Sequence, residues 1–550
     1  MLAFLSCLAS VCCLSTAVLV PITITSDWTG RFQGDLNFLI TEEVVGWEVK
    51  INFSAPITLI DRLSMTHRLF QEWMGDVISH SPDNTHFTLV NKQHNGILHK
   101  GDTLHIQMFA DGTKYDLNEV LEKSILFYEA QRSGKLPSTN RIPWRGDSAL
   151  GDKGNNGEDL TGGWYDAGDH VKFNFPMAFS VTSLAWGLLE FKDAYVDAGQ
   201  LDYMYDCLQW PLEYLMKCHV APHEYYVQVG DGGQDHAYWG RPENMTMARP
   251  AYKIDEQHPG SDVAAETAAA FAASYLVFKT RNDTFAAKLL EHATQLFDFA
   301  EAFPGKYSDS VSAASAYYRS DAIEDEMCWG GIWMFLATKD PHYFQVAESN
   351  YISGAAWGQE FLNHMKPFIV KVLLYKVTKK DIYKTDLEAT FTDWMPGGTI
   401  PYTPNGLAFR SQWGSNRYSA NMALIAIMAS LQGVHTQAYQ KWAESQINFM
   451  LGDAGRSFVV GFGTNPPTQP HHRSSSCPMY PAPCSSFNMQ RDGPNPHVLY
   501  GALVGGPNQN GQYTDKRSDY VSNEVACDYN AGFQSAVAGI KALYMRGDLP

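Results

Sequence analysis

Two acidic clusters, far apart in the chain, carry the residue types that could do chemistry. The first is the segment 163–173, GWYDAGDHVKF, and the second is the segment 513–530, which begins YTD and ends NEVACDYN. Hydrolysis of a glycosidic bond needs two carboxyl groups on opposite sides of a sugar, one to protonate the leaving oxygen and one to activate water or attack carbon. Carboxyl groups beside aromatic rings suit this task, because rings stack on sugars and apolar walls raise the pKa of an acid. The clusters therefore indicate an enzyme that cleaves sugars.

Asp166 and Asp169 are separated by two small residues, Ala167 and Gly168, which allow both carboxylates to point into one space. Two like charges at such a distance couple, which raises the pKa of one group and favours the activation of water. An acidic turn or a calcium loop is the alternative interpretation of this spacing. The Gly-Gly-Trp-Tyr before the pair and the His-Val-Lys-Phe after it favour catalysis.

The composition limits the possible partners. The chain has 550 residues, 45% of them hydrophobic, and a formal net charge of −18. Its length is enough for a large core and for more than one domain. The negative charge argues against nucleic acids and anionic membrane surfaces, because both attract basic patches. A neutral polymer is compatible with it.

Residues 1–17 are apolar and end in small residues, which predicts a secretory signal peptide cleaved near Ala17. A short membrane anchor is the alternative, because this segment contains no basic side chain. No later run is long and apolar enough to span a bilayer. We therefore expect a secreted, extracellular monomer with no membrane partner.

Six cysteines remain beyond the predicted signal peptide, an even number that is typical of disulfide-bonded exported chains. Cys477 and Cys484 flank a short Pro-rich stretch, and Cys207 and Cys218 are also close in sequence. We therefore predict a disulfide bond within each of these two pairs.

The hydrophobic periodicity changes once along the chain. Residues 20–110 contain short segments of alternating apolar and polar residues, which predict a small β-sandwich in 18–112. From about residue 114 the period becomes helical, as in Val181, Leu184 and Leu188. Long Gly, Pro and aromatic loops separate the helical stripes and carry every acidic motif. This pattern indicates an all-helical barrel in 113–550 with the functional site at one rim.

Three separated motifs resemble those of glycoside hydrolase family 9, the endo-β-1,4-glucanases of bacteria, plants and animals. They are the segment 163–173, the histidine motif 457–473 and the acidic motif 513–531. The resemblance extends over about 114–546. It implies a mainly α fold, with an (α/α)6 barrel after the small antiparallel β-sandwich. It also implies a secreted cellulase that cuts internal β-1,4 bonds of cellulose and related β-glucans, inverts the anomeric centre and requires no cofactor.

The resemblance assigns roles to the matching residues. Glu524 is the expected general acid, Asp169 the base that activates water, and Asp166 the group that holds this water. His471 is expected to hydrogen-bond the sugar at the cleavage point, and Asp515 to orient its neighbours. The expected substrate-binding side chains are His236, Trp413, Tyr418, Arg473, Tyr529 and Tyr317. For the pair Trp413 and Tyr418, packing in the core is the alternative.

A calcium ion is a further expectation from the resemblance, since related enzymes hold one at the acids that match Asp325 and Glu326. Asp321 is available as a replacement oxygen ligand, although such charge runs are normally solvated. The chain departs from many relatives at 320–322 and 361–363, where two stacking aromatics are missing. An enzyme that prefers mixed-linkage glucans or xylan is therefore the alternative within this family.

The segment 18–112 resembles a family 2 carbohydrate-binding module, a β-sandwich that binds cellulose. Trp28 and Trp73 match aromatics of its flat binding face, and such rings stack on pyranose C–H surfaces. A purely structural β-domain is the alternative for this segment. For the whole chain, a non-catalytic glucan-binding or storage protein is the alternative from another class. The presence of Asp166, Asp169 and Glu524 argues against it.

Overall fold

A computed structural model describes residues 114–354 and 366–549 continuously. In the first 112 residues it describes the segments 10–11, 23–28, 31–40, 43–45, 48–52, 57–59, 76–80, 86–90 and 97–112. The chain divides into two compact units, one formed by 1–117 with 541–550 and the other by 118–540.

The described residues of the first unit form ten strands. They form two four-stranded antiparallel sheets, of order β2-β3-β10-β6 and β1-β5-β8-β7, and the pair β4-β9. Alternating apolar residues predicted strands in 20–110, whereas β1 lies within the predicted signal peptide. The packing of the sheets as a sandwich stays a prediction. The strands are β1 (Ser10–Val11), β2 (Thr23–Trp28), β3 (Arg31–Leu39), β4 (Val44–Val45), β5 (Glu48–Asn52), β6 (Ile57–Leu59), β7 (Asp76–His80), β8 (His86–Val90), β9 (Ile97–Leu98) and β10 (Thr103–Gly112).

Several predictions made for the N-terminal segment cannot be placed on this structure. Of the predicted signal peptide 1–17, only Ser10 and Val11 are among the described residues. Trp28 is the last residue of β2, where its backbone pairs with Arg31 of β3. Trp73 lies outside the described residues.

The second unit is mainly helical, as the sequence predicted. A small sheet of order β11-β13-β12, with β14 also paired to β13, accompanies the helices. Its strands are β11 (Lys172–Phe173), β12 (His219–Ala221), β13 (Glu224–Val229) and β14 (Ala251–Ile254). The helices are α1 (Leu117–Ala130), α2 (Asn174–Glu190), α3 (Lys192–Asp197), α4 (Leu201–Cys218), α5 (Gly232–Ala237), α6 (Ser261–Phe278), α7 (Asp283–Ala302), α8 (Tyr307–Ser310), α9 (Ser312–Ser315), α10 (Glu324–Thr338), α11 (Pro341–Ser349), α12 (Lys366–Thr378), α13 (Asp381–Trp394), α14 (Ser415–Ser430), α15 (Thr436–Asn448), α16 (Arg473–Ser476), α17 (Ser486–Gln490) and α18 (Cys527–Arg546).

Six helices form an inner ring. Helix α6 packs on α2 and α10, α12 packs on α10 and α14, and the Ser535 hydroxyl of α18 bonds the Ser183 carbonyl of α2. Helices α2, α6 and α14 are buried nearly all round, which is typical of helices that are apolar on every face. Helices α4, α7, α11, α13 and α15 pack outside the ring and bury one face each. The tyrosine hydroxyl of Tyr128 in α1 donates to the Cys527 carbonyl, which attaches α1 to α18. This is the arrangement expected of an (α/α)6 barrel.

Among the described residues, no helix has the length and apolar character that crossing a bilayer requires.

The two disulfide predictions had different outcomes. Cys477 and Cys484 are bonded, with their Cα atoms 5.3 Å apart, so that prediction is confirmed. Cys207 and Cys218 are buried free thiols, so that prediction is wrong. Both lie on the single helix α4, where eleven residues rise by about 16 Å, and a disulfide needs Cα atoms within about 7 Å.

Candidate active site

Several predicted functional residues lie in the connections that lead into an inner helix, with His236 in the short helix α5 of one such connection. Tyr418 and Tyr529 lie within the inner helices α14 and α18 themselves. Asp166 and Asp169 precede α2, His236 precedes α6, Trp413 precedes α14 and Glu524 precedes α18. Contacts among these loops, described next, show that the N-terminal ends of the inner helices meet at one rim. Helix N-termini carry partial positive charge, so this rim favours negatively charged groups.

The first acidic loop is held against the other two motifs by its backbone. The Cys527 amide, at the start of α18, donates to the Asp166 carbonyl at 2.9 Å. The Arg473 amide donates to the Gly168 carbonyl at 3.0 Å. A Cβ atom at Gly168 would lie 2.0 Å from the carbonyl oxygen of His471, so only glycine allows this approach.

The loop of Glu524 lies directly beside the histidine motif. The His471 amide donates to the Asn523 carbonyl at 2.8 Å, and the Gly505 amide donates to the Glu524 carbonyl at 2.9 Å. The three motifs that are far apart in sequence therefore form one site.

Asp166 and Asp169 are both buried, with exposed fractions of 5% and 8%, but their pKa values move in opposite directions. Burial and the charge of Asp169 raise the pKa of Asp166 well above its ordinary value, although the Tyr318 hydroxyl donates to Asp166 Oδ2 at 2.5 Å. Burial also acts to raise the pKa of Asp169. A hydrogen bond of 3.2 Å to His236, with the charges of His236 and Arg473, outweighs burial and lowers the pKa of Asp169. Asp169 is therefore the carboxylate of the pair.

Glu524 is half-buried, and two side chains donate to one of its oxygens. The Trp413 indole N–H donates to Oε2 at 2.6 Å, and the Tyr529 hydroxyl donates to the same oxygen at 3.1 Å. Burial raises the pKa of Glu524 to about 7, against the lowering effect of these two hydrogen bonds. Near neutral pH, a site with a charged Asp169 thus also contains a protonated carboxylic acid.

His471 is held in one neutral form. Burial lowers its pKa to about 4, so the ring is uncharged near neutral pH. Its Nδ1 lies 2.7 Å from the Arg517 carbonyl, which accepts only from a protonated nitrogen. Nε2 is therefore the unprotonated nitrogen, an acceptor suited to a sugar hydroxyl.

Asp235 is a site residue that the sequence did not single out. It is 1% exposed, and its Oδ1 accepts from Arg473 Nη1 at 2.7 Å and from the His170 amide at 3.1 Å. Burial and the charge of Asp169 raise the pKa of Asp235 to about 6, while Arg473 lowers it. The sequence signal that could have identified Asp235 is its position directly before His236. Asp235 therefore holds the Arg473 guanidinium, whose charge lowers the pKa of Asp169.

The Asp515 carboxylate holds the histidine motif through three hydrogen bonds. It accepts from the Thr468 amide at 2.8 Å, the Thr468 hydroxyl at 2.7 Å and the Gln469 amide at 3.0 Å. These bonds fit the orienting role that the resemblance implied, because they hold the loop that carries His471 and Arg473.

The predicted aromatic side chains have different environments. Trp413 is 39% exposed and its ring lies 5.4 Å from that of Tyr520. Tyr317 is half-buried, with its ring 5.0 Å from the His236 ring. Tyr418 is buried within α14 under the Arg417 guanidinium, which supports core packing as its role. Tyr318 and Trp239 are further aromatics at the site that the sequence did not single out, and Tyr520, a position of the acidic motif, also lies there.

The acids predicted to hold calcium are not gathered in this structure. Asp321 pairs with Arg319 at 3.3 Å, while Asp325 and Glu326 are successive residues of α10 that project in different directions. Among the described residues, the acidic and histidine groups whose ligand atoms converge within 4.8 Å are Asp169, Asp235 and His236. The Arg473 guanidinium already neutralises Asp235 there. The calcium site stays a prediction, and the segment 361–363 lies outside the described residues.

Comparisons with known proteins agree on one family. The sequence model of glycosyl hydrolase family 9 matches residues 117–537. Endoglucanase 4 of Bacillus sp. (strain KSM-522) is 47% identical over 451 residues, which are 78% of this chain and 69% of that protein. The structure of the endoglucanase from the termite Nasutitermes takasagoensis has a TM-score of 0.76 and 51% identity, and covers 78% of this chain and 100% of its own. The structure of endoglucanase CelQ from Clostridium thermocellum complexed with cellotriose has a TM-score of 0.69 and 36% identity. The match covers 78% of this chain and 71% of that chain.

Proposed function

The chain belongs to glycosyl hydrolase family 9, and we propose that it is a secreted endo-β-1,4-glucanase that inverts the anomeric centre. Its substrates are internal β-1,4-glucosidic bonds of cellulose and related β-glucans. The observation that carries the proposal is the opposite pKa shift of two carboxyl groups at one site. The pKa of Glu524 is raised to about 7, while the pKa of Asp169 is lowered. The cellotriose complex of the relative CelQ supports a β-glucan chain as the ligand.

The first half of the reaction is the activation of water by Asp169. Its lowered pKa keeps it ionised over most of the pH range, so it is able to take a proton from water as the oxygen attacks the anomeric carbon. Asp166 holds this water from the other side. Its Oδ1 is buried and has no hydrogen-bond partner in the described part of the chain, so it is available for the task.

The second half is the protonation of the leaving oxygen by Glu524. As the bond from the anomeric carbon to the glycosidic oxygen breaks, Glu524 transfers its proton to that oxygen, and the leaving glucan departs neutral. Because one displacement joins both halves, the product has the inverted configuration. Inverting enzymes separate their two carboxyl groups by about 6.5–9.5 Å to leave room for the water.

The sugar at the cleavage point is bound by the neighbouring side chains. His471 accepts a sugar hydroxyl hydrogen bond through Nε2, and Arg473 and His236 donate to sugar oxygens. His236 is 42% exposed in its side chain and therefore open to the cleft. Trp413 and Tyr317 supply ring faces for stacking on pyranose C–H surfaces.

The proposal also includes the N-terminal segment. Residues 1–17 direct export and are removed, and 18–112 bind the glucan through Trp28 and Trp73. The match of these tryptophans to a family 2 carbohydrate-binding module supports this assignment.

The variant Glu524→Gln tests the acid assignment, because an amide keeps the shape of the carboxyl group but has no acidic proton. Turnover of cellohexaose should fall by about a thousandfold, the scale of general-acid catalysis. The Kd for cellohexaose, measured by titration calorimetry, should change little. Glu213→Gln, at an exposed position of α4, is the matched control and should retain full turnover. A Glu524→Gln enzyme that keeps most of its turnover would refute the assignment.

A further inference from the structure

We propose that Trp413 and Tyr529 are positioning residues that fix the acidic proton of Glu524 on its Oε1 atom. The proposal rests on the function proposed above, in which Glu524 is the general acid. It gives Trp413 a role besides stacking: the indole decides which carboxyl oxygen is able to protonate the leaving group.

The hydrogen bonds at Glu524 are unequally distributed between its two oxygens. Oε2 receives the Trp413 N–H at 2.6 Å and the Tyr529 O–H at 3.1 Å. Within the described ranges, no protein group forms a hydrogen bond with Oε1. Oε2 therefore accepts two hydrogen bonds from the protein, and Oε1 is left for the substrate.

This asymmetry determines where the proton lies. A protonated carboxyl group has one carbonyl oxygen, which is the better acceptor, and one hydroxyl oxygen. An indole N–H donates and never accepts, so the oxygen that faces Trp413 must present a lone pair. With Tyr529 donating to the same atom, Oε2 is the carbonyl oxygen, and the proton is on Oε1.

The opposite arrangement would disable the acid. A proton on Oε2 would have to point at Tyr529, which would then accept. The indole N–H would face a hydroxyl oxygen, and the proton would point into the protein. A short indole bond disfavours this arrangement, because N–H groups bond hydroxyl oxygens of carboxylic acids more weakly than carbonyl oxygens.

The backbone is built to bring Trp413 and Tyr529 together. Gly414, between Trp413 and α14, has φ of 70°, in the region that favours glycine. A Cβ atom at Gly414 would lie 2.9 Å from the ring of Tyr529. A larger residue there would separate the two donors, so Gly414 permits both to reach one oxygen.

The test compares two substrates that differ in their need for an acid. Cellohexaose has a poor leaving group and needs protonation, whereas the dinitrophenolate of 2,4-dinitrophenyl β-cellobioside leaves without a proton. Trp413→Phe keeps an aromatic ring and removes the N–H. We expect kcat on cellohexaose to fall by about tenfold to a hundredfold, and kcat on the aryl cellobioside to fall by less than about threefold. The indole bond lowers the pKa of Glu524, so its loss should also move the alkaline limb of kcat/KM to higher pH.

Two further variants make the comparison specific. Tyr529→Phe removes only the hydroxyl and should show the same selective loss to a smaller degree. Trp442→Phe removes an indole N–H that donates to the Tyr402 hydroxyl at 2.7 Å, outside the site, and should show no selectivity between the substrates.

Each outcome decides one question. If Trp413→Phe loses equal activity on both substrates, mainly through a higher KM and with an unchanged alkaline limb of kcat/KM, then Trp413 only stacks on sugar. That result would overturn the inference. Glu524→Gln, measured in parallel, shows how far kcat on the two substrates differs when the acid is absent. If Glu524→Gln itself fails to discriminate between the substrates, the proposed function fails and the inference with it. If Glu524→Gln discriminates and Trp413→Phe does not, only the inference is overturned.

Discussion

Asp169 and Glu524 are both withdrawn from bulk water, yet their pKa values shift in opposite directions. At Glu524 the effect of burial dominates, and hydrogen bonds from Trp413 and Tyr529 offset only part of it. At Asp169 the hydrogen bond to His236 and the neighbouring positive charges outweigh burial. The partners of each carboxyl group therefore decide which is the proposed acid and which is the proposed base.

A pH profile follows from these shifts. The proposed mechanism needs Asp169 ionised and Glu524 protonated. The value of kcat/KM for cellohexaose should rise through the lowered pKa of Asp169 and fall as the pH passes about 7, where Glu524 loses its proton. Initial rates measured from about pH 3 to about pH 9 check this prediction. Activity that continues to rise above about pH 8 would be incompatible with Glu524 as the acid.

At the scale of helices and loops, the site is assembled at the N-terminal ends of the inner ring. Asp169, Trp413 and Glu524 each belong to a loop that enters an inner helix. Because the rigid inner helices fix where these loops end, the side chains that the loops carry converge on one space.

Gly168 lies where the first acidic loop closely approaches the histidine motif. A methyl group there would lie 2.0 Å from the His471 carbonyl oxygen, so Gly168→Ala must displace one of the loops. We expect a lower Tm and a loss of turnover of about a hundredfold or more, since small misplacements of catalytic groups are costly. Gly151→Ala is the control, because a Cβ atom there meets nothing within 4 Å. Calorimetry and cellohexaose kinetics on both variants measure the difference; equal behaviour of the two would contradict the close approach.

The helical periodicity predicted the barrel and the motifs predicted the catalytic loops, because both are local properties of the sequence. Pairings across the fold were not predictable in this way. The Arg473–Asp235 ion pair joins residues 238 positions apart, and nothing local marks Asp235 as its partner. Tyr418 illustrates the same limit, since its spacing of five residues from Trp413 left both a subsite role and core packing open, and only the fold shows that it is buried. The predicted Cys207–Cys218 disulfide is wrong because both residues lie on helix α4, which holds their Cα atoms too far apart despite their proximity in sequence.

For the whole molecule, the net charge of −18 and the neutral proposed substrate fit together. A neutral glucan requires no electrostatic attraction, so binding must depend on ring stacking and hydrogen bonds. The anionic surface also helps to keep the protein soluble. The proposed division, with glucan binding in the N-terminal unit and hydrolysis in the second, then depends on which unit exposes aromatic rings to the glucan.

The double variant Trp28→Ala with Trp73→Ala tests this division. Loss of two stacking rings should weaken adsorption to crystalline cellulose, measured as protein depleted from solution, by about tenfold. Hydrolysis of soluble cellohexaose should be unaffected and serves as the control. Unchanged adsorption would mean that the N-terminal unit is a structural β-domain.

The most direct test is proton NMR of cellohexaose during its first minutes of digestion by the purified protein, following the anomeric signals. Early appearance of the α-anomer is the predicted result, because a single displacement with Asp169 as base and Glu524 as acid inverts the β-linkage. Early appearance of the β-anomer would show retention and would contradict that mechanism.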